Sequence, residues 1–404
     1  MVPVVRTYVR DHPWLKFTVD LRRAPVSLWT LLGEAGSKCE HVAGVPLRPE
    51  TAQRLYTLYL AKGVRATTAI EGNTLSEEEV VKRVEGALQL PPSKEYLGRE
   101  VDNIIRACNT MVREVREQRL PPVTPARIKE FNQIVLEGLQ LEPGVVRGAL
   151  RTYGVGVGRY RAVPAEDCDY LLDRLCDWIN GPDFQPPQPD LGLIYAIIKA
   201  VLAHLYLAWI HPFGDGNGRT ARLIEFQILV NAGVPMPAAH LFSNHYNETR
   251  AEYYRQLDRA SGSGGDVVPF LQYAVQGFVD GLRAQLAVIR DQQWDTAWEN
   301  YVHQQFRDRK SPTDVRRRNL ILDLSSRTEP VRYRDLMQLS ARVATAYAGK
   351  TTKTLARDRN ILRKMNLLRF VSPVREGDKV IRTGGYLANK ELILAFLPPR
   401  VTTP

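Results

Sequence analysis

The chain has 404 residues, 44% hydrophobic and 25% charged, the make-up of a soluble globular protein long enough for two or three compact units. Its four cysteines, Cys39, Cys108, Cys168 and Cys176, show no CxxC pairing and no metal-ligand spacing, which argues against a disulfide framework and for buried thiols in a reducing, cytoplasmic setting. The net charge of +11 is unevenly placed: from Arg309 onward 21 Lys+Arg stand against 8 Asp+Glu, so that part carries +13, the first 308 residues carry −2, and the two parts call for different partners.

In chain order, the start, MVPVVRTYVRDHPWLKF, lacks the uninterrupted apolar stretch of a secretory signal. Apolar residues at helical spacing run from Pro49 toward Ile70, and Glu71-Gly72-Asn73 breaks that pattern. A new helix is predicted from Ser76, where Ser76 and Glu79 form a capping box. Leu97–Gln118 and Thr124–Gly138 read as amphipathic helices. Val146–Val163, VRGALRTYGVGVGRYRAV, has no helical period and reads as a short hairpin. Helices are predicted again at Ala165–Asn180, Leu191–Ile210, Arg219–Ala232, Thr249–Ser261 and Asp266–Trp298.

The run Leu191–Ile210 is long enough to span a bilayer, but Lys199 and His204 lie in its middle and a polar loop follows, so it reads as a buried central helix and no membrane partner is expected. His204 reads as a buried structural histidine. After a basic linker, Arg307–Pro312, the pattern gives helices at Thr313–Ser325, Arg332–Leu339 and Thr351–Met365. Two strands, Leu368–Pro373 and Lys379–Thr383, follow, joined by a turn at Glu376-Gly377-Asp378. Three helices and a two-stranded wing are the order of a winged helix-turn-helix.

The chemistry is concentrated in HPFGDGNGRTAR, His211–Arg222. An apolar helix delivers His211, glycines at 214, 216 and 218 allow backbone N–H groups close to a ligand, and a second helix starts at once. That is an anion site suited to phosphates. Asp215 inside such a loop calls for a cation between it and the phosphate, Mg²⁺ by preference. Arg219 and Arg222 can reach the same anion. A Walker A loop is excluded because the segment follows a helix and lacks GxxxxGK[ST], and Gly154-Val155-Gly156-Val157-Gly158 lacks the spacing of a dinucleotide fold.

HPFGDGNGRTAR resembles the signature of the Fic (filamentation induced by cyclic AMP) family, HxFx[D/E]GNGRxxR, with all specified positions filled. The likeness extends from about Thr51 to Arg283. It implies a mainly α fold, a helical bundle with a β-hairpin flap, followed here by the small winged unit. The domains would be an N-terminal helical region at 1–100, a catalytic domain at 101–304 and the winged domain at 311–400. The resemblance implies a protein adenylyltransferase that moves AMP from Mg²⁺-ATP to a Ser, Thr or Tyr hydroxyl of a target protein, itself included.

Carried over by position, His211 would be the general base and Asp215 the Mg²⁺ ligand. Gly214, Gly216, Asn217 and Gly218 would cradle phosphate oxygens, Arg219 would support the β-phosphate or the loop, and Arg222 would meet the γ-phosphate. Phe213 would anchor the loop. Thr67-Thr68-Ala69-Ile70-Glu71-Gly72 matches the family's inhibitory motif [S/T]xxxE[G/N], so Glu71 would pair with Arg222 and take the γ-phosphate position. Tyr153–Tyr160 would pair with the target's backbone.

One position departs: Thr249 stands where family members often have an asparagine that holds the nucleoside, with Asn247 two residues before it. The base contact then falls to Tyr253 or Tyr254. Three other readings stay open: a DNA-binding regulator whose Fic unit senses nucleotide, a hydrolase that removes AMP with Glu71 positioning water, and, given Thr249, a transferase that uses another nucleotide or phosphate donor. The basic helix Thr351–Met365 would offer Lys353, Arg357, Arg359, Arg363 and Lys364 to DNA or to a protein, and a homodimer is compatible with such a unit.

Overall fold

The computed structural model describes residues 6–376, 379–382 and 384–394. Contacts divide the chain into two compact units, Met1–Leu286 and Ala287–Pro404. The division falls inside one helix, ahead of the 304–311 junction read from composition.

Unit one is a helical bundle. A short α1 (Tyr8–Asp11) leads to α2 (Val26–Gly44), α3 (Pro49–Ala69), α4 (Glu77–Val84), α5 (Glu95–Arg116) and α6 (Pro125–Val135). The capping box at Ser76 and Glu79 is present, with both reciprocal hydrogen bonds formed. A two-residue ladder, β1 (Gly156–Val157) with β2 (Tyr160–Arg161), is all the regular pairing within Val146–Val163, and the rest is turn. Glycines and close turns leave too few adjacent extended residues for a longer ladder.

Helices α7 (Cys168–Ile179), α8 (Gly192–Ile210) and α9 (Asn217–Asn231) follow, then α10 (Met236–Ala239), α11 (Leu241–Glu248), α12 (Arg250–Gly262) and α13 (Val268–Gln305). The candidate membrane helix is the centre of the bundle: α8 packs along α9, and twelve of its residues, from Ile197 to Ile210, are buried. All four cysteines are buried and unpaired. Burial pushes the Cys39, Cys108 and Cys176 thiols up to about 12 and Cys168 to about 11.

Unit two has its own core, built from Trp298, Phe306, Ile321, Leu336, Tyr347 and Leu362 among others. It contains α14 (Pro312–Ser325), α15 (Ala341–Tyr347), α16 (Thr352–Lys364) and strands β3 (Leu368–Val371), β4 (Val374–Glu376), β5 (Lys379–Arg382) and β6 (Gly385–Ala388). Two expectations need correction. The helix read at Arg332–Leu339 is only a 3-10 segment, Tyr333–Gln338; the α-helix starts later, where Ser340 caps it by accepting the Val343 N–H. The two predicted strands do not pair with each other: β3 pairs with β6 and β4 with β5, all antiparallel. Of the turn and strand read there, Gly377, Asp378 and Thr383 lie outside the described residues.

Candidate active site

Helix α8 stops because His211 takes a left-handed backbone conformation, φ 48° and ψ 59°, while its N–H still donates to Leu207 O at 2.9 Å. The loop then folds on itself. Asn217 Oδ1 accepts the Phe213 N–H at 2.9 Å and its Nδ2 donates to Phe213 O at 2.9 Å, so this side chain ties the loop. Phe213 is fully buried, the anchor that its place in the loop suggested. Helix α9 begins at Asn217, which leaves its first-turn N–H groups without intrahelical acceptors. Gly216 has φ +77°, a conformation that favours glycine, and packs against Asn132 and Val135.

A cavity of about 660 Å³ opens over this loop. Lining it are Glu71, His211, Gly214, Asp215, Gly216, Asn217, Gly218, Arg222 and Tyr254, the sequence-derived site residues with the exception of Arg219; Tyr253 lines it too. The hairpin residues Val157–Tyr160 form part of the wall, and Tyr160 is fixed there by its hydroxyl, which donates to Trp209 O at 2.7 Å. Arg219 is buried beneath the loop, donating from Nη2 to Asp215 Oδ1 and from Nη1 to Glu100 Oε1, both at 3.2 Å.

Asp215 has a half-exposed side chain, and its Oδ1 also accepts the Gly216 N–H at 2.5 Å. Arg222 is buried and donates from Nη2 to Glu71 Oε1 at 2.5 Å and to Thr67 O at 3.0 Å. Glu71 Oε1 lies so close to Gly218 that a Cβ there would overlap it. The carboxylate therefore occupies the start of α9, where the helix favours an anion.

Burial pushes the His211 imidazole down to about 4; a nearby Arg151 adds to this, while the Ala208 backbone, Glu71 and Asp215 oppose it. The ring is thus neutral at physiological pH and able to accept a proton. Glu71 is balanced the other way: burial raises its carboxyl, but the Arg222 charge and hydrogen bond, with Arg219 and His211, outweigh this and leave it below its ordinary value. It stays ionised and paired.

Tyr253 is buried in the cavity floor, its hydroxyl 2.9 Å from His204 Nε2, and Tyr254 is 40% exposed on the rim. His204 is fully buried and its Nδ1 lies 3.4 Å from Glu225 Oε2, a structural position away from the loop. Thr249 does not line the cavity; its hydroxyl is taken up by His245 O at 2.7 Å and Tyr273 Oη at 2.5 Å.

Three residues that hold the site were not found from sequence. Asn132 donates to Asp215 O at 2.8 Å and accepts the Gly148 N–H at 3.0 Å. Glu100 joins Arg219 to Asn73, two residues after Glu71, through a 2.8 Å hydrogen bond. Arg151, 4% exposed, binds the loop carbonyls. Each lies in an ordinary helix or turn pattern with no local motif to mark it.

Residues 122–229 match the model of the Fic/DOC family. Among curated proteins, the chain is 33% identical over 229 residues to protein adenylyltransferase fic-1 of Caenorhabditis briggsae, covering 55% of this chain and 39% of that one. It is 31% identical over 211 residues to protein adenylyltransferase Fic of Nematostella vectensis, covering 52% and 45%. The chain thus spans about two fifths of the length of these relatives. Among solved structures, a Fic family protein from Desulfovibrio desulfuricans superposes with a TM-score of 0.55 at 21% identity, over 92% of this chain and 98% of that one, a likeness of fold. Fic-1 from C. elegans gives a TM-score of 0.52 at 26% identity, over 65% and 73%.

Proposed function

We propose that this chain, whose residues 122–229 form a domain of the Fic/DOC family, is a protein adenylyltransferase that moves AMP from ATP to a hydroxyl side chain of a target protein, and that Glu71 holds it inactive. The observation that carries this reading is one cavity in which a neutral His211, a glycine loop at a helix start and a buried Arg222 converge, with Glu71 already on Arg222.

In this reading the target's hydroxyl oxygen attacks the α-phosphorus. The bond from the α-phosphorus to the bridging oxygen breaks, pyrophosphate leaves, and the hydroxyl proton passes to the His211 imidazole. The α9 start and Arg222 hold the phosphate tail that must stay still while the bond breaks. Asp215 fits a Mg²⁺ ligand: it offers a half-exposed hard oxygen beside that phosphate tail, and Mg²⁺ is usually held by one or two carboxylates, with substrate phosphates and water supplying the rest. When bound, the ion would neutralise charge building on the departing pyrophosphate. Arg219, out of the cavity and bonded to Asp215, would orient that carboxylate. Tyr254, on the rim of the cavity, would meet the nucleotide's base.

Glu71 would block transfer by charge exchange. A γ-phosphate and the Glu71 carboxylate compete for one guanidinium, and while the carboxylate holds it the phosphate tail cannot settle in the orientation that in-line attack needs. Incubation with α-labelled ATP and Mg²⁺ tests both parts. Labelled protein should accumulate with Glu71→Gly and not with Glu71→Gly/His211→Ala; bound nucleotide without label in either would sink the transferase reading. Removal of AMP by the same residues is measured by the converse assay, release of AMP from a labelled target.

Unit two supports a second partner. On α16, Lys353, Arg357, Asn360 and Lys364 are exposed on one face, while Leu355, Asp358 and Leu362 are buried on the other. A winged helix-turn-helix offers its third helix in this way, and a basic polar face suits the phosphates of duplex DNA.

A further inference from the structure

Arg151 is a buried cation with no carboxylate partner among the described residues. Its guanidinium is spent on backbone carbonyls instead. Nε donates to His211 O at 2.8 Å, Nη1 to Tyr153 O at 2.8 Å, and Nη2 to Val163 O at 2.5 Å and Ile210 O at 3.5 Å. Its own N–H donates to Pro212 O at 3.0 Å. Three of these five acceptors belong to consecutive residues, Ile210, His211 and Pro212, where α8 turns into the loop. The other two lie at either end of the hairpin.

Burying a charge that only carbonyls satisfy is costly, and a purely structural joint could be filled by an apolar side chain. Two things need a rigid fork at this point. The left-handed backbone of His211 is disfavoured for a residue with a Cβ and must be imposed from outside. And the hairpin has only a two-residue ladder to set its own position.

We infer that Arg151 is a positioning residue for the transfer reaction: it locks the His211 backbone in the orientation that aims the imidazole, and clamps the hairpin to the same loop, so that the base and the hairpin expected to pair with the target's backbone keep a fixed distance. The inference rests on the AMP-transfer reading above. Its charge has a second effect. Arg151 opposes protonation of His211, against Glu71 from the end of α3 and Asp215 from the loop, which favour it.

The test is made in full-length Glu71→Gly protein with Arg151→Lys and Arg151→Met. Lysine keeps the charge and loses the planar fork. Expected for Arg151→Lys is a fall in the turnover rate of roughly 10- to 100-fold, with ATP affinity by equilibrium binding within about threefold, as for a small misplacement of a reacting group. The His211 ring, followed by NMR and assigned by its loss in His211→Ala, should titrate at a higher pH in Arg151→Met than in the parent and at an unchanged pH in Arg151→Lys.

Transfer at the parent rate in Arg151→Lys would overturn the proposal. So would parallel loss of transfer, ATP binding and thermal stability in both variants, which marks a structural residue. If the Glu71→Gly parent itself transfers no label, the transferase reading fails; the His211 titration still decides the coupling, and an unmoved midpoint in Arg151→Met rejects it. Should Arg151→Met not fold, Arg151→Lys alone decides through its rate and affinity.

Discussion

Glu71 and Arg222 stand 151 positions apart in the chain and meet through Oε1 and Nη2 at 2.5 Å, with the carboxylate seated against Gly218 at the start of α9. A hydrogen bond between two charged groups contributes about 1.5–3 kcal/mol. Removing it in Glu71→Gly should raise the rate of AMP transfer by roughly 10- to 100-fold, since each 1.4 kcal/mol is a factor of ten. Glu71→Gln, which keeps the shape and loses the charge, should fall between. Initial rates of label incorporation at saturating ATP give the comparison, and equal rates in all three proteins would remove Glu71 from regulation.

Acid should not release the proposed brake in the mildly acidic range. The folded Glu71 carboxyl lies below its ordinary value, so the pair contributes stability above the unfolded pKa of about 4.3 and loses it only as pH falls through the lower, folded value. Wild-type transfer at pH 5.5 is therefore expected to be as low as at pH 7.5. A burst of labelling on acidification to pH 5.5 would show that the pair is weaker than its geometry.

His211 has a linkage of the same sign in a higher pH window. Its folded value is depressed from 6.5 to about 4, chiefly by burial, and His240, buried elsewhere in unit one, is depressed to about 4 for the same reason. Between those limits the unfolded chain binds protons that the folded one does not, so stability falls as pH drops from about 6.5 toward 4. His211→Ala should flatten that fall. If the neutral His211 ring is the base, kcat/KM for transfer in Glu71→Gly protein should stay level from pH 8 down to about 5 and drop below that. A half-loss near pH 6.5 would mean that His211 titrates like an exposed histidine.

Much of this was legible in the sequence because the signals were local. The apolar run ending at Ile210, the capping box at Ser76 and the glycine-loop motif each lie within about twenty residues, and the structure has α8, α4 and the α9 start there. What escaped depends on distant partners. Strand β3 finds β6 across an intervening hairpin, which no turn signal encodes. Helix α13 runs past Trp298 to Gln305 since nothing between them stops it. Arg151 looks like any arginine in a turn until three carbonyls from sixty residues away close on it. Nor does the motif show that the Asn217 amide also closes the loop, with Phe213 supplying both partners.

Asp358 should be the most sensitive polar position of unit two. It is 1% exposed and accepts from Arg316 Nε at 2.8 Å, Arg317 Nε at 2.7 Å and the Tyr347 hydroxyl at 3.0 Å, tying α14 and α15 to the back of α16. Asp358→Asn takes the counter-charge from Arg316 and leaves Arg317 with Asp314 alone. Removing one partner of a buried pair costs about 3–5 kcal/mol, most of a small unit's stability. Hydrogen exchange should show loss of protection in α14–α16 with unit one unaffected, and a change below about 1 kcal/mol would mean that water already reaches the pair.

The α16 face can be tested by the salt dependence of binding. Each phosphate neutralised contributes a slope of about −0.9 in log K against log salt on duplex DNA. If Lys353, Arg357 and Lys364 all reach phosphates, replacing the three with alanine should reduce the slope by roughly 2.7 and weaken binding at low salt more than at high. Their side chains are exposed while Asp358 is buried, so the variant should fold normally. The full chain is titrated with a fluorescent random-sequence duplex from 50 to 200 mM salt, since phosphate contacts need no particular sequence. Equal slopes in wild type and variant would assign the face to a protein partner, because the charge alone cannot distinguish phosphates from an acidic surface. No binding by wild type at about 50 mM, where nonspecific contacts are strongest, would end the DNA reading.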